Sequence, residues 1–306
     1  MSELTSQETF TPIGCSIERS LCCLLVSAIT RLQRLSFACL WVVCLAGASS
    51  IPAQAAMSSV YLEELTWTDL KAKQSAGLDT VLIPIGGTEQ NGPHMVLGKH
   101  NVRVKFLAGE IAKGLGNAVV APVLAYVPEG SITPPAAHMR FTGTMSISGE
   151  AFEAVLDSTA KSFKQHGFHH VVFLGDHGGY QRHLERVAAR LNKAWAKERG
   201  FQALALTNYY ELAQAPYNDL LRAKGFRTAE IGSHAGLADT SLAMAVDAAL
   251  VYPERFDQAA RSGQTQGVAG DPRRASVDLG KIGLALIVDN SVQAIQKALH
   301  KPLQKP

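Results

Sequence analysis

Three glycine-rich segments of this chain carry side chains that could do chemistry. The first runs Gly86-Gly87-Thr88-Glu89-Gln90-Asn91-Gly92-Pro93-His94 and continues to Gly98-Lys99-His100-Asn101. The second is Gly175-Asp176-His177-Gly178-Gly179, and the third, from Gly232 through His234 and Asp239 to Ser241, leads into a helix whose N-terminus could also bind an anion. Glycine permits tight turns and close backbone approach. Histidine, aspartate and glutamate are the side chains that hold divalent metals and move protons at neutral pH. None of the segments is a strict metal signature such as a His-Glu-x-x-His helix. Three of them in one domain argue for a shared site.

The elements around these segments must bring them together. The apolar run over 80–85 (Thr-Val-Leu-Ile-Pro-Ile) predicts a strand buried on both faces, followed by a helix over 102–115 stopped at Gly116. Residues 119–123 predict a second strand, which Pro122 pushes toward a sheet edge. A long elaborated loop follows over 126–148. Helix, glycine, strand then recurs: a helix over 150–166, Gly167 and a strand over 170–174; a helix around 184–195, Gly200 and a strand over 201–206. Further helices fit 241–250 and 284–299, with a polar surface excursion over 253–281. The alternation predicts an α/β fold with a mostly parallel sheet covered on both sides. In such sheets function gathers beyond the carboxyl ends of the strands, where the first two segments fall. Trp67 and Trp195 fit packing positions, and His94 and His138 read as wall or backbone-bonding residues.

Over most of residues 60–300 the sequence resembles the creatininase (creatinine amidohydrolase) family. The match rests on Leu-Ile-Pro-Ile-Gly-Gly-Thr-Glu-Gln-Asn-Gly-Pro-His at 82–94, the Asp-His-Gly-Gly segment, His-Ala-Gly-Leu-Ala-Asp-Thr-Ser at 234–241, and Gly143-Thr144. The resemblance implies a three-layer α/β/α sandwich, often assembled as a hexamer, that uses zinc or manganese to hydrolyse carbon–nitrogen amide bonds. The departures from the family pattern are specific. Asn91 stands where a histidine ligand is usual, His100 where an aspartate usually bridges two metals, and Gly179 where creatininase supplies a glutamate. The usual Glu-Thr-Ser has become Asp239-Thr240-Ser241. The first three changes remove ligands of a second metal, so one metal is expected per site.

What the resemblance leaves is Glu89, His100 and His177, a set of two histidines and one carboxylate with room for water. That composition suits zinc first, and manganese or iron as well, and the metal would acidify a bound water into a usable nucleophile. His234 and Asp239, five residues apart, are read as the catalytic pair, a proton shuttle and its orienting carboxylate. Asp176 is read as holding a neighbouring histidine in place. Plainer roles stay open: Glu89 capping the next turn, His177 steadying its loop, His100 serving the helix it begins, and His234 and Asp239 tying and capping the third segment.

Composition narrows the partners. Of 306 residues, 47% are hydrophobic, and 29 Lys plus Arg oppose 26 Asp plus Glu, so the composition is that of a globular chain and the net charge of +3 is too mild for a nucleic-acid surface. All five cysteines fall in the first 44 residues, which excludes cysteine nucleophiles and disulfide frameworks from the folded part. In that region Arg31 and Arg34 precede an apolar run over 37–46, followed by Ala53-Gln54-Ala55. The pattern predicts a leader over 1–55 with a signal peptide cleaved near Ala55, a periplasmic or secreted single domain over 56–306, and no lasting membrane association. The expected function is metal-dependent hydrolysis of a small amide or lactam by a homo-oligomer. The alternative is a non-catalytic or differently acting descendant that binds a small ligand.

Overall fold

Strand β1 (Thr80–Ile85) is buried along its whole length, as the unbroken apolar run requires of a central strand. The computed structural model describes residues 59–299; the expected leader and its expected cleavage position near Ala55 lie outside them. With β2 (Ala118–Val120), β3 (His170–Gly175) and β4 (Gln202–Ala205), β1 forms a fully parallel sheet in the order β2-β1-β3-β4. The register pairs Val81 with Val171 and Val119, and Phe173 with Ile83 and Ala205. Strand β2 stops two residues short of Pro122, which has no N–H for the ladder.

Because side chains alternate across a strand, the sheet has two apolar faces. Val81, Ile83, Ile85 and Phe173 pack with helices α1 (Trp67–Ser75), α3 (Gly149–Gln165) and α4 (Gln181–Trp195), through Leu70, Phe152, Leu156, Leu184, Val187 and Trp195. Leu82, Val172 and Leu174 pack with α2 (Lys99–Leu115), α8 (Leu237–Val246) and α10 (Val277–Leu299), through Val104, Leu107, Ile111, Leu242, Leu284 and Ile287. The result is the expected three-layer α/β/α arrangement. Shorter helices α5 (Thr207–Leu212), α6 (Ala215–Ala223) and α7 (Thr228–Ile231) follow β4, and α9 (Phe256–Ser262) lies within the segment expected to be an irregular excursion.

Two differences from the sequence reading bear on the site. Helix α2 begins at Lys99, three residues before its apolar spacing becomes visible, so Lys99, His100 and Arg103 belong to its first turns and are buried. Helix α8 likewise begins at Leu237 and places Asp239 in its first turn. Glycines 280 and 283 let α10 approach it closely: a Cβ on Gly280 would overlap the carbonyl oxygen of Ser241, and one on Gly283 would come 2.7 Å from Leu242. Trp67 is not a packing residue. It opens α1 and is 75% exposed, whereas Trp195 is buried.

Candidate metal centre

The loop after β1 is shaped by its own polar residues. Asn91 Nδ2 donates to the carbonyl oxygens of Glu89 (2.9 Å) and Val96 (3.0 Å), so this amide folds the loop. The Gly87 N–H donates to Asn101 Oδ1 at 2.9 Å, and the Gln90 N–H to Thr144 Oγ1 at 3.1 Å, which ties the loop to α2 and to the long loop before α3. Gly87 has φ +147°, and any side chain there would overlap the Glu129 carboxylate. These constraints turn the Glu89 side chain inward, where it is wholly buried.

Four histidines surround that carboxylate. Oε1 lies 2.7 Å from His100 Nε2 and 3.8 Å from His234 Nδ1; Oε2 lies 3.2 Å from His138 Nε2 and 3.6 Å from His177 Nε2. Oε2 is buried and has no hydrogen bond among the described residues. Burial raises the Glu89 carboxyl, but the hydrogen bond and charge of His100, with His177 and Lys99 behind, outweigh it and hold the group ionised. Burial brings His177 down to about 4 against the pull of Glu89, and burial with Lys99 does the same to His234, so both rings are neutral at pH 7. On the far side of His177, Glu129 Oε2 stands 3.3 Å from Nδ1. Burial and the adjacent Glu89 charge push the Glu129 carboxyl up to about 9.

Beneath the histidines lies a buried ionic network. His100 Nδ1 is 2.6 Å from Asp176 Oδ2, so Asp176 braces His100. Asp176 also accepts from Arg103 Nε (2.9 Å) and from the Tyr209 hydroxyl (2.9 Å). Arg103 reaches on to Asp239 Oδ1 at 2.7 Å, and Asp239 is further met by Lys99 Nζ and by the Ala235 N–H. Although burial opposes it, Lys99 and Arg103 hold Asp239 well below the ordinary aspartate range.

The expected residues therefore meet, but in different relations. Glu89 and His177 face one another across 3.6 Å. The ring nitrogens of His100 both face carboxylates, and the third donor grouped with Glu89 and His177 is His138. His138, expected as a wall or backbone-bonding residue, sits in the irregular loop, and the structure brings it to the centre. His234 also reaches the centre, with Nε2 3.0 Å from the carbonyl oxygen of Gln90. Asp239 does not orient it: Lys99, Arg103 and Ala235 take that carboxylate, because α2 starts early enough to deliver two cations to it. Glu129 carried no sequence signal beyond its place in the same loop. One backbone feature accompanies the two late histidines. Among the described residues the non-glycine positions with positive φ are Ala137 (50°) and Ala235 (55°), the immediate neighbours of His138 and His234. Left-handed alanine costs roughly 1–2 kcal/mol, and such strain gathers at functional sites.

The donor set fits a divalent metal. Ligand atoms of Glu89, His138 and His177 lie within 4.8 Å of one another. A tetrahedral ion with bonds of roughly 2 Å keeps its ligand atoms about 3.3 Å apart, and the observed separations from Glu89 Oε2 are 3.2 and 3.6 Å. The carboxylate is ionised, His177 is neutral, and an oxygen without a hydrogen bond faces the gap between two rings, which is what a cation requires of its ligands.

Comparison with known proteins bears on this geometry. Residues 63–295 match the family model Creatininase, described as creatinine amidohydrolase. The chain is 26% identical over 204 residues to the creatinine amidohydrolase of Pseudomonas putida, covering 65% of this chain and 74% of that protein. It is 25% identical over 248 residues to the mycofactocin precursor peptide peptidase of Mycobacterium tuberculosis, covering 73% and 87%. A zinc–zinc form of a creatininase mutant superposes with a TM-score of 0.66 at 23% identity, over 80% of this chain and all of the other.

Proposed function

The chain belongs to the creatininase family and is a hydrolase, and we propose that it cleaves a carbon–nitrogen bond of a small amide or lactam with one divalent metal held by Glu89, His138 and His177. The observation that carries this reading is the fully buried Glu89 carboxylate, whose free Oε2 faces the Nε2 atoms of His138 and His177 at 3.2 and 3.6 Å. Zinc suits two imidazoles and a carboxylate best, with manganese and iron next. Such a metal supplies polarisation of the amide carbonyl and a water acidified toward neutrality.

The remaining work falls to the chain. His100 holds Oε1 of Glu89, which leaves Oε2 for the centre. His234 is the proton carrier: when Nε2–H donates to the carbonyl oxygen of Gln90, Nδ1 is a bare lone pair at the centre, 3.8 Å from Glu89. A proton taken there from water can be passed to the leaving nitrogen. Gln90 places the His234 ring through its backbone carbonyl oxygen, and its side-chain amide lies 3.0 Å from His138 Nδ1. Export to the periplasm, processing near Ala55 and assembly as a homo-oligomer belong to the same proposal and rest on the leader sequence and the family resemblance.

The test is metal analysis of purified protein followed by a screen of small amides and lactams for amine release. About one metal per chain is expected, lost on dialysis from His138→Ala and His177→Ala. A wild-type protein that retains no divalent metal under conditions where it is folded would overturn the reading.

A further inference from the structure

We propose that Glu129 is a positioning residue for His177: its carboxylate accepts the Nδ1 proton and so fixes the tautomer in which Nε2 presents a lone pair to the centre. The inference rests on the metal reading above and adds a residue to it. Glu129 is 3% exposed, and neither of its oxygens has a hydrogen bond among the described residues. A carboxylate so buried is costly unless it meets a donor or a positive charge. Its Oε2 is 3.3 Å from His177 Nδ1, while the other ring nitrogen of His177 is 3.6 Å from Glu89 Oε2, so the ring stands between two carboxylates.

The backbone is arranged to keep Glu129 there. Its own N–H donates to Ser146 Oγ at 3.0 Å, and the same hydroxyl donates to the Gly130 carbonyl oxygen at 2.8 Å, pinning the chain on either side of the residue. Gly87 leaves the space its carboxylate fills. Gly179 does the same for the ring: a Cβ there would come 3.1 Å from His177 Cε1. One competitor exists, the Gly179 N–H, 3.3 Å from Nδ1. The two contacts exclude each other, because a ring nitrogen that carries a proton cannot accept one. With Glu129 as acceptor the proton sits on Nδ1 and Nε2 is free to bind metal. With the Gly179 N–H as donor, neutral His177 carries its proton on Nε2 and cannot. Without a cation the Glu89 charge favours a neutral Glu129 carboxyl; a cation beside Glu89 offsets that repulsion, keeps Glu129 ionised as the acceptor and so favours the first arrangement.

The experiment compares zinc affinity, by chelator competition, in the wild type, Glu129→Leu and Glu129→Gln, with the fold of each checked by circular dichroism in chelator. Partners of this kind are worth about 10- to 100-fold in metal affinity. The leucine variant, which has no acceptor, is expected to lose that much, and the glutamine variant, which keeps an oxygen, to lose less. Should the leucine variant not fold, the nitrogen-15 spectrum of zinc-loaded wild type decides alone: a protonated Nδ1 on His177 is expected, and an unprotonated one overturns the proposal. Wild-type binding with an unchanged affinity in folded Glu129→Leu removes Glu129 while leaving the metal reading intact. A wild type that binds no zinc removes both.

Discussion

Nε2 of His100 lies 2.7 Å from Oε1 of Glu89 in the interior, where neither side chain has appreciable contact with solvent. This contact decides what Glu89 can offer. With one oxygen engaged and the ring braced by Asp176 from behind, the second oxygen is directed at His138 and His177.

Replacing His100 with Ala is expected to leave Glu89 Oε1 and Asp176 Oδ2 each without its imidazole. Removing one partner from a buried polar pair typically costs about 3–5 kcal/mol, and Asp176 keeps Arg103 and Tyr209, so the lower end applies. Urea unfolding in the presence of chelator measures this. Zinc affinity falls as well, by about 10- to 100-fold. A His100→Ala protein with unaltered stability and unaltered zinc affinity would show that the bracing does nothing.

His234 and Asp239 are expected to part company under mutation. His234→Ala keeps fold and metal and loses turnover on the order of 100- to 10,000-fold, the usual worth of a general acid–base group. Asp239→Asn strips the countercharge from Lys99 and Arg103 and is expected to act through stability, at about 3 kcal/mol. Melting temperatures and activity per folded molecule, measured on both variants with the first cleaved amide, separate the two roles. Full activity in folded, metal-loaded His234→Ala would end its claim to the mechanism.

Away from the centre, Glu153 on α3 joins that helix to α4 by meeting Arg186 (2.7 Å), His183 (2.8 Å) and Arg190 (3.2 Å). Although burial opposes it, these partners hold the Glu153 carboxyl down at about 2, against an ordinary 4.5. A depressed value in the folded state means that the contribution is fully present above pH 4.5 and is lost as pH falls from there toward 2. The group is near the surface, so the effect is below about 1 kcal/mol. Thermal melts from pH 6 to pH 2 are expected to fall less steeply for Glu153→Gln than for the wild type across that window. Parallel curves would mean that the pairs contribute nothing.

The layers of the fold were legible because burial on two faces leaves an apolar run in β1 and β3, and burial on one leaves a helical stripe in α3 and α4. Glu89 and His177 were legible for a related reason: each follows a buried strand directly, so strand position fixes where it ends up. His138 and Glu129 were not, since the loop over 121–148 has no periodicity, and its path depends on contacts such as Gln90 with Thr144 that only the folded chain makes. The Lys99 to Asp239 pair was hidden differently. Polar residues at Lys99, His100 and Arg103 mask the start of α2, because they face a buried network instead of the apolar core.

The parallel sheet has a kinetic corollary. Every crossover separates partners widely in the chain: Gln90 lies 48 residues from His138 and 144 from His234, and His100 lies 76 from Asp176. Contacts this distant close slowly, after most of the entropy of the intervening chain has been surrendered. The complete site, with His234 beside the metal-binding residues, is therefore a late product of folding, and a nascent chain that ends before the third glycine segment lacks it. A metal that recognises only the finished arrangement rewards completion alone, raising the stability of the native state in proportion to the logarithm of its concentration once bound sites dominate.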